Sequence, residues 1–147
     1  MVIQRLQNLY LLIAVVLLAI FASTAAMTIT TGSEVVRLGV FRQVANSQSQ
    51  PDFLFMSMDA LVVILTVIAI SSYQSLRAQM RLCAICIALT LAMLLCMAVM
   101  FFVMRSSSAV TLCWGALLPV VAFVFFFLAY RGMARDKKLL SSSDRLR

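Results

Sequence analysis

There is no histidine among these 147 residues, and only 12% of them are charged. Without histidine, a serine, cysteine or threonine has no ordinary neutral-pH base to activate it. The imidazole-based metal sites are excluded as well. Five acidic residues are spread over the chain, and no two are spaced as a catalytic carboxylate pair. Four glycines and two prolines are too few for a glycine-rich phosphate loop or for the interrupted helices of many carriers. Aqueous catalysis would have to come from one loop, a short link and a tail. The expectation is a protein that is not an enzyme and holds no cofactor or metal.

What the chain does have is apolar length. It is 64% hydrophobic, against roughly 45–50% in a soluble domain. So short a chain has no core large enough to hide that surface. Leu6–Ser33, Leu82–Met104 and Ser106–Tyr130 carry no charge, and Phe53–Tyr73 carries only Asp59. Each supplies the ~20 residues needed to cross a ~30 Å hydrocarbon layer. The pattern predicts an all-α, antiparallel bundle of four membrane helices near 7–27, 53–72, 82–104 and 111–130, in one domain spanning 1–147. The first run outlasts the apolar core of a signal peptide, so a retained helix is expected.

Basic residues set the orientation. With the N-terminus inside, Arg5, Arg77, Arg81, Arg131, Arg135, Lys137, Lys138, Arg145 and Arg147 are cytoplasmic, and Arg37, Arg42 and Arg105 are outside. Both termini are therefore expected in the cytoplasm of a bacterial inner-membrane protein. The tail 131–147 has two readings. Met133, Leu139, Leu140 and Leu146 form one arc of a helix, with Arg131, Arg135, Lys138 and Arg145 on the other. Such a helix can rest on an anionic inner leaflet, although Ser141–Ser143 weaken it. Alternatively it docks a protein partner. No aromatic residues interleave its cations, which speaks against nucleic acid.

The outer loop 28–52 contains "TITTGSEVVRLGVF", which predicts a β-hairpin of Thr28–Thr31 with Val35–Phe41 around a Thr-Gly-Ser turn. A lone hairpin is marginal, so Val36, Leu38 and Val40 should lie on the helix ends. It reads either as a cap on the bundle or as an outer recognition surface. Pro51 is expected to open the second helix, and Pro119 to kink the fourth.

Asp59 is the sole charge inside any apolar window. Intramembrane acids are costly and mark candidate sites. Thr66 and Tyr73 follow at intervals of seven on the same face. A proton-coupled transporter or channel component could use this stripe. The plainer reading is a packing residue, protonated or paired with Arg37, Arg42 or Arg105.

"RLCAICIAL" places Cys83 and Cys86 in a C-x-x-C arrangement. With four helices this is similar to the membrane disulfide oxidases and the vitamin K epoxide reductase family, and would make the protein a thiol–quinone oxidoreductase. The predicted cytoplasmic position opposes that reading, because thiols there stay reduced. Cys96 and Cys113 form no second pair. Ala84, Ala88, Ala92 and Cys96 recur every four residues, and Gly115, Ala122 and Ala129 every seven. Small residues at such spacing let membrane helices approach closely, within one bundle or between copies.

Three short stretches carry a family resemblance. "MVIQRLQNLYLL" resembles a pattern M-I-Q-R-I-Q-x-L-Y-L-L through Ile3, Gln4, Arg5, Leu6, Gln7, Leu9, Tyr10, Leu11 and Leu12. "YQSLRAQMRL" is similar to Y-K-N-R-x-x-Q-x-R-L at Tyr73, Gln79, Arg81 and Leu82, with Arg77 one place from its expected position. The tail resembles K-K-D-E-x-L-V-R-S-x-D-R-L-R at Arg135, Asp136, Leu139, Ser142 and Asp144-Arg145-Leu146-Arg147, and departs from it at Ala134, Lys137 and Ser141. The family is domain of unknown function 4293, small four-helix membrane proteins of Bacteroidota. The resemblance implies an inner-membrane protein and supplies no activity. An ending this particular exceeds what a leaflet anchor needs. Arg135, Asp136, Asp144, Arg145 and Arg147 are therefore the candidates for a partner contact through charge-assisted hydrogen bonds.

Overall fold

The computed structural model describes residues 2–44, 50–72 and 75–144, with side chains for 6–41, 52–72 and 75–139. Four long helices dominate it: α1 (Val2–Ser23), α2 (Phe53–Ser71), α3 (Leu76–Arg105) and α4 (Leu117–Asp144). Each contains a stretch long and apolar enough to span a membrane: Leu6–Ser23, Phe53–Ser71, Leu76–Arg105 and Trp114–Leu139. The pair α1–α4 packs most extensively, and α4–α3, α3–α2 and α2–α1 complete the contacts. The helices thus close a four-membered ring, each neighbour antiparallel to the next.

The residues facing the axis follow a spacing of three and four. On α1 they are Leu11, Ala14, Leu18 and Phe21; on α2, Phe55, Asp59, Val62, Thr66 and Ala69. On α3 they are Gln79, Cys83, Cys86, Thr90, Met93 and Met97; on α4, Ala122, Phe126, Ala129 and Met133. Alternating steps of three and four keep one narrow stripe in register with neighbouring helices, as in antiparallel bundles. The stripe is narrow: of the most apolar 18-residue stretch of each span, 28% is buried. The outward faces are equally apolar, with Leu95, Val99 and Phe102 exposed. A bundle in water places charge there. Here the surface matches lipid, where packing and not water exclusion holds helices together.

The helix boundaries differ from the sequence expectation at one end of the bundle. α1 stops at Ser23, and Ala25–Thr31 forms strand β1 instead of continuing the helix to 27. The chain continues through β2 (Glu34–Gly39), β3 (Phe41–Val44) and β4 (Gln50–Pro51) before α2, and β5 (Ala109–Leu112) precedes α4. Together they make a sheet in the order β4-β3-β2-β1-β5. The expected hairpin is present: Thr28 faces Arg37 and Thr31 faces Glu34. Its two-residue loop begins at Gly32, whose φ of 61° is the left-handed value such turns require. Met27, Ile29, Leu38 and Val40 are buried on its inner side.

The sequence reading missed β5. It pairs with β1 from Met27↔Leu112 to Thr30↔Ala109, so residues 111 and 112 are strand and not helix. A 3-10 turn, Trp114–Ala116, then leads into α4. Gly115 is needed there, because a Cβ would lie 2.2 Å from the Ala25 carbonyl oxygen. Pro119 falls in the first turn of α4, where a missing N–H has no helical bond to break, so it is not a mid-helix kink. Pro51 belongs to β4, and Asp52 stands at the N-cap of α2.

At the opposite end two helices are longer than expected. α3 starts at Leu76, not near 82, and α4 runs through the serines to Asp144. Residues 131–144 thus continue the last span.

Candidate functional site

Two groups of polar side chains sit within or against the apolar bundle. The first is interior, between α2 and α3. Asp59 lies six residues into α2, about 9 Å along its axis. It is 4% exposed, and its Oδ1 has no hydrogen-bond partner among the described residues. Arg37 and Arg105 are exposed, and neither forms an ion pair with it. The side chain of Arg42 lies outside the described residues. Two turns along, Thr66 is fully buried and donates its hydroxyl proton to the Val62 carbonyl at 2.6 Å. Its Oγ1 is 3.5 Å from Cys86 Sγ. Thr90 on α3 donates to the Cys86 carbonyl at 2.7 Å. Tyr73, the third member of the predicted stripe, lies outside the described residues.

Cys83 and Cys86 both face the bundle interior with no exposure, and all four cysteines are free. The Cys83 thiol donates to the Phe126 carbonyl across the α3–α4 seam at 3.4 Å. Hydroxyl and thiol groups thus satisfy themselves on backbone carbonyls, the usual solution in a medium without water. Cys113 sits in the sheet cap, 3.1 Å from Thr28 Oγ1.

The small residues divide. Gly115, Ala122 and Ala129 are buried within the bundle. Ala84 and Ala88 are exposed and Ala92 is half-buried, so the alanine row of α3 faces outward.

The second group closes the end of the bundle where both termini lie. Gln7 on α1 is 2% exposed, and its Nε2 donates to Asp136 Oδ2 on α4. Gln79 on α3 is 4% exposed and donates through Nε2 to Asn8 Oδ1 at 2.8 Å. The approach of α4 is close: a Cβ on Gly132 would stand 3.1 Å from Gln7 Cγ. Three helices are thereby joined by side-chain hydrogen bonds. Asp136, expected to meet a partner, points inward to Gln7, while Arg135 is exposed. Arg145 and Arg147 lie outside the described residues, as does the side chain of Asp144.

Beside this knot a groove of about 210 Å³ runs between α3 and α4, lined by Arg77, Met80, Arg81, Ala84, Tyr130 and Lys137. Sequence reasoning counted these cations for orientation but did not bring them together. The i, i+4 spacing of Arg77 and Arg81 put them on one face; their meeting with Lys137 depends on the α3–α4 pairing.

The knot also gives the motifs a physical content. Gln7 belongs to the first of the three stretches resembling a family pattern, Gln79 to the second and Asp136 to the third. Gln7 bonds to Asp136, and Gln79 bonds to the neighbour of Gln7. Segments far apart in sequence look particular because they meet. A comparison with curated proteins found no match. The sequence profile of the family described as Domain of unknown function (DUF4293) matches residues 3–146. With nearly the whole chain covered, the protein belongs to that family.

Proposed function

We propose that this is a non-catalytic accessory protein of a bacterial inner membrane, with both termini in the cytoplasm, that presents the end of α4 to a protein partner. The observation that carries the reading is the continuity of α4. It runs unbroken from the last span to Asp144 and is tied to α1 through Asp136 and Gln7. The eight residues beyond Asp136 extend the helix by about 12 Å. A helix held at a fixed angle loses little freedom on binding, which favours recognition over loose adsorption. The nine cations in the sequence segments assigned to the inside, against three in those assigned to the outside, support the orientation. The absence of histidine and of paired carboxylates supports a role without catalysis.

The test compares full-length protein with a chain ending at Lys138, each purified from native membranes in mild detergent. Ending at Lys138 keeps the buried Met133 and the Asp136–Gln7 bond, so the bundle stays intact. A near-stoichiometric companion present with the first and absent with the second, at equal membrane levels, supports docking. Identical companions, or none, return the extension to a membrane anchor.

A second reading has its own observation. Asp59 is a buried acid with an unpartnered oxygen, as a proton-binding group of a transporter or channel component would be. Asp59→Asn that folds normally and changes no transport or growth phenotype removes that reading.

A further inference from the structure

We infer that the groove between α3 and α4 binds the phosphate of an anionic phospholipid whose acyl chains lie along the outward face of α3. This inference rests on the helices crossing a membrane and is independent of any protein docking at the end of α4.

The lining residues are graded. Arg77 and Lys137 stand farthest from the middle of the spans, Met80, Arg81 and Tyr130 come next, and Ala84 is innermost. Arg77 and Arg81 are one turn apart, about 6 Å along the axis. Cations thus line the mouth from both walls, where headgroups of a bilayer lie, and apolar groups line the depth. Guanidinium groups match phosphate oxygens with paired donors. Lys137 adds charge from the facing helix, and the Tyr130 hydroxyl is a further donor.

No acid among the described residues lines the groove. The nearest carboxylate in sequence, Asp136, is engaged with Gln7. Arg77, Arg81 and Lys137 are exposed and form no ion pair with any described residue. Three cations around one concavity, with no acid among the described residues lining it, leave a local charge that an anion relieves.

The source of the phosphate follows from what lies beyond Ala84. Ala88 and Ile85 continue outward-facing on α3, and Phe127 is exposed on α4. Ala84, which lines the groove, and Ala88 one turn on are both small and exposed, and leave room beside α3 for an apolar chain. A soluble phosphate compound has no use for it; an acyl chain fills it. Basic pockets between spans are a recurrent setting for anionic headgroups.

The experiment measures lipid binding to the full chain in detergent by native mass spectrometry, with phosphatidylglycerol and phosphatidylcholine as probes. Wild type should prefer phosphatidylglycerol. R77Q/R81Q should weaken that lipid about thirtyfold and K137Q about fivefold. R37Q/R105Q removes equal charge at the sheet end and should change nothing. Equal affinity of wild type for the two lipids overturns the inference, as does an equal loss in R37Q/R105Q. A large excess of inorganic phosphate should leave the lipid in place; phosphate that displaces it would assign the groove to a soluble ligand and overturn the lipid. Because K137Q alters only an exposed side chain on the second wall, it keeps the test decisive if R77Q/R81Q does not fold.

Discussion

The two ends of the bundle are closed by different kinds of bond. At the sheet end, backbone groups of β1, β2 and β5 pair with one another. Such pairing asks little of the side chains beyond strand propensity and a few glycines. At the terminal end, side chains close the bundle, through Gln7 to Asp136 and Gln79 to Asn8. That solution depends on residue identity. The difference explains where the sequence is particular: the family-like stretches cluster at the end held by side chains, and the hairpin region carries none of them.

Breaking the sheet end should have the largest effect. Gly115→Val places carbon against the Ala25 carbonyl and separates the 3-10 turn from β1. A loss of about 3 kcal/mol or more is expected, read as a collapse of folded yield in detergent. At the terminal end, Asp136→Leu strands the buried Gln7 amide, which should cost ~1–3 kcal/mol. Q7L/D136L should restore most of it, because removing both partners leaves nothing unsatisfied. A four-variant cycle of thermal midpoints checks this, and independent, additive losses would sink the knot as a coupled unit.

Between the ends, Asp59→Leu should raise stability by on the order of 1 kcal/mol, since a buried carboxyl whose Oδ1 has no partner among the described residues is replaced by an apolar group of similar size. A lower thermal midpoint would mean that Asp59 has a partner and is part of the packing. The smallest effect belongs to Ser108→Ala. It removes an exposed hydroxyl pair with Thr31 at 2.9 Å and should shift stability by less than ~0.5 kcal/mol.

Much of this architecture was readable from residue order, for one reason: hydropathy over twenty residues measures fit to a bilayer. That found all four helices. It could not find their ends. Residues 109–112 sit in a charge-free window, and apolar strand and apolar helix look alike at that length. Arg77 and Arg81 lie inside α3, and the serines 141–143 inside α4, because the helices outrun their apolar portions. The buried polar groups were partly legible. Asp59 stood out as a charge among apolar residues. Gln7 and Gln79 did not, because their partners lie 129 and 71 residues away, and no periodicity reports such a pairing. The groove was missed for the same reason.

The pairing of β5 with β1 also bears on how the protein is made. Thr28 and Cys113 meet although 85 residues separate them. During synthesis β1 emerges early and waits with one edge open until the segment after α3 arrives. Where the four apolar helices span a membrane, the two loops can join only when both lie on the same side. A chain with one helical hairpin inverted would leave that edge of β1 unpaired. If the four candidate spans cross a membrane, completing the sheet therefore requires that α2 and α3, the two helices between β1 and β5, have both crossed it.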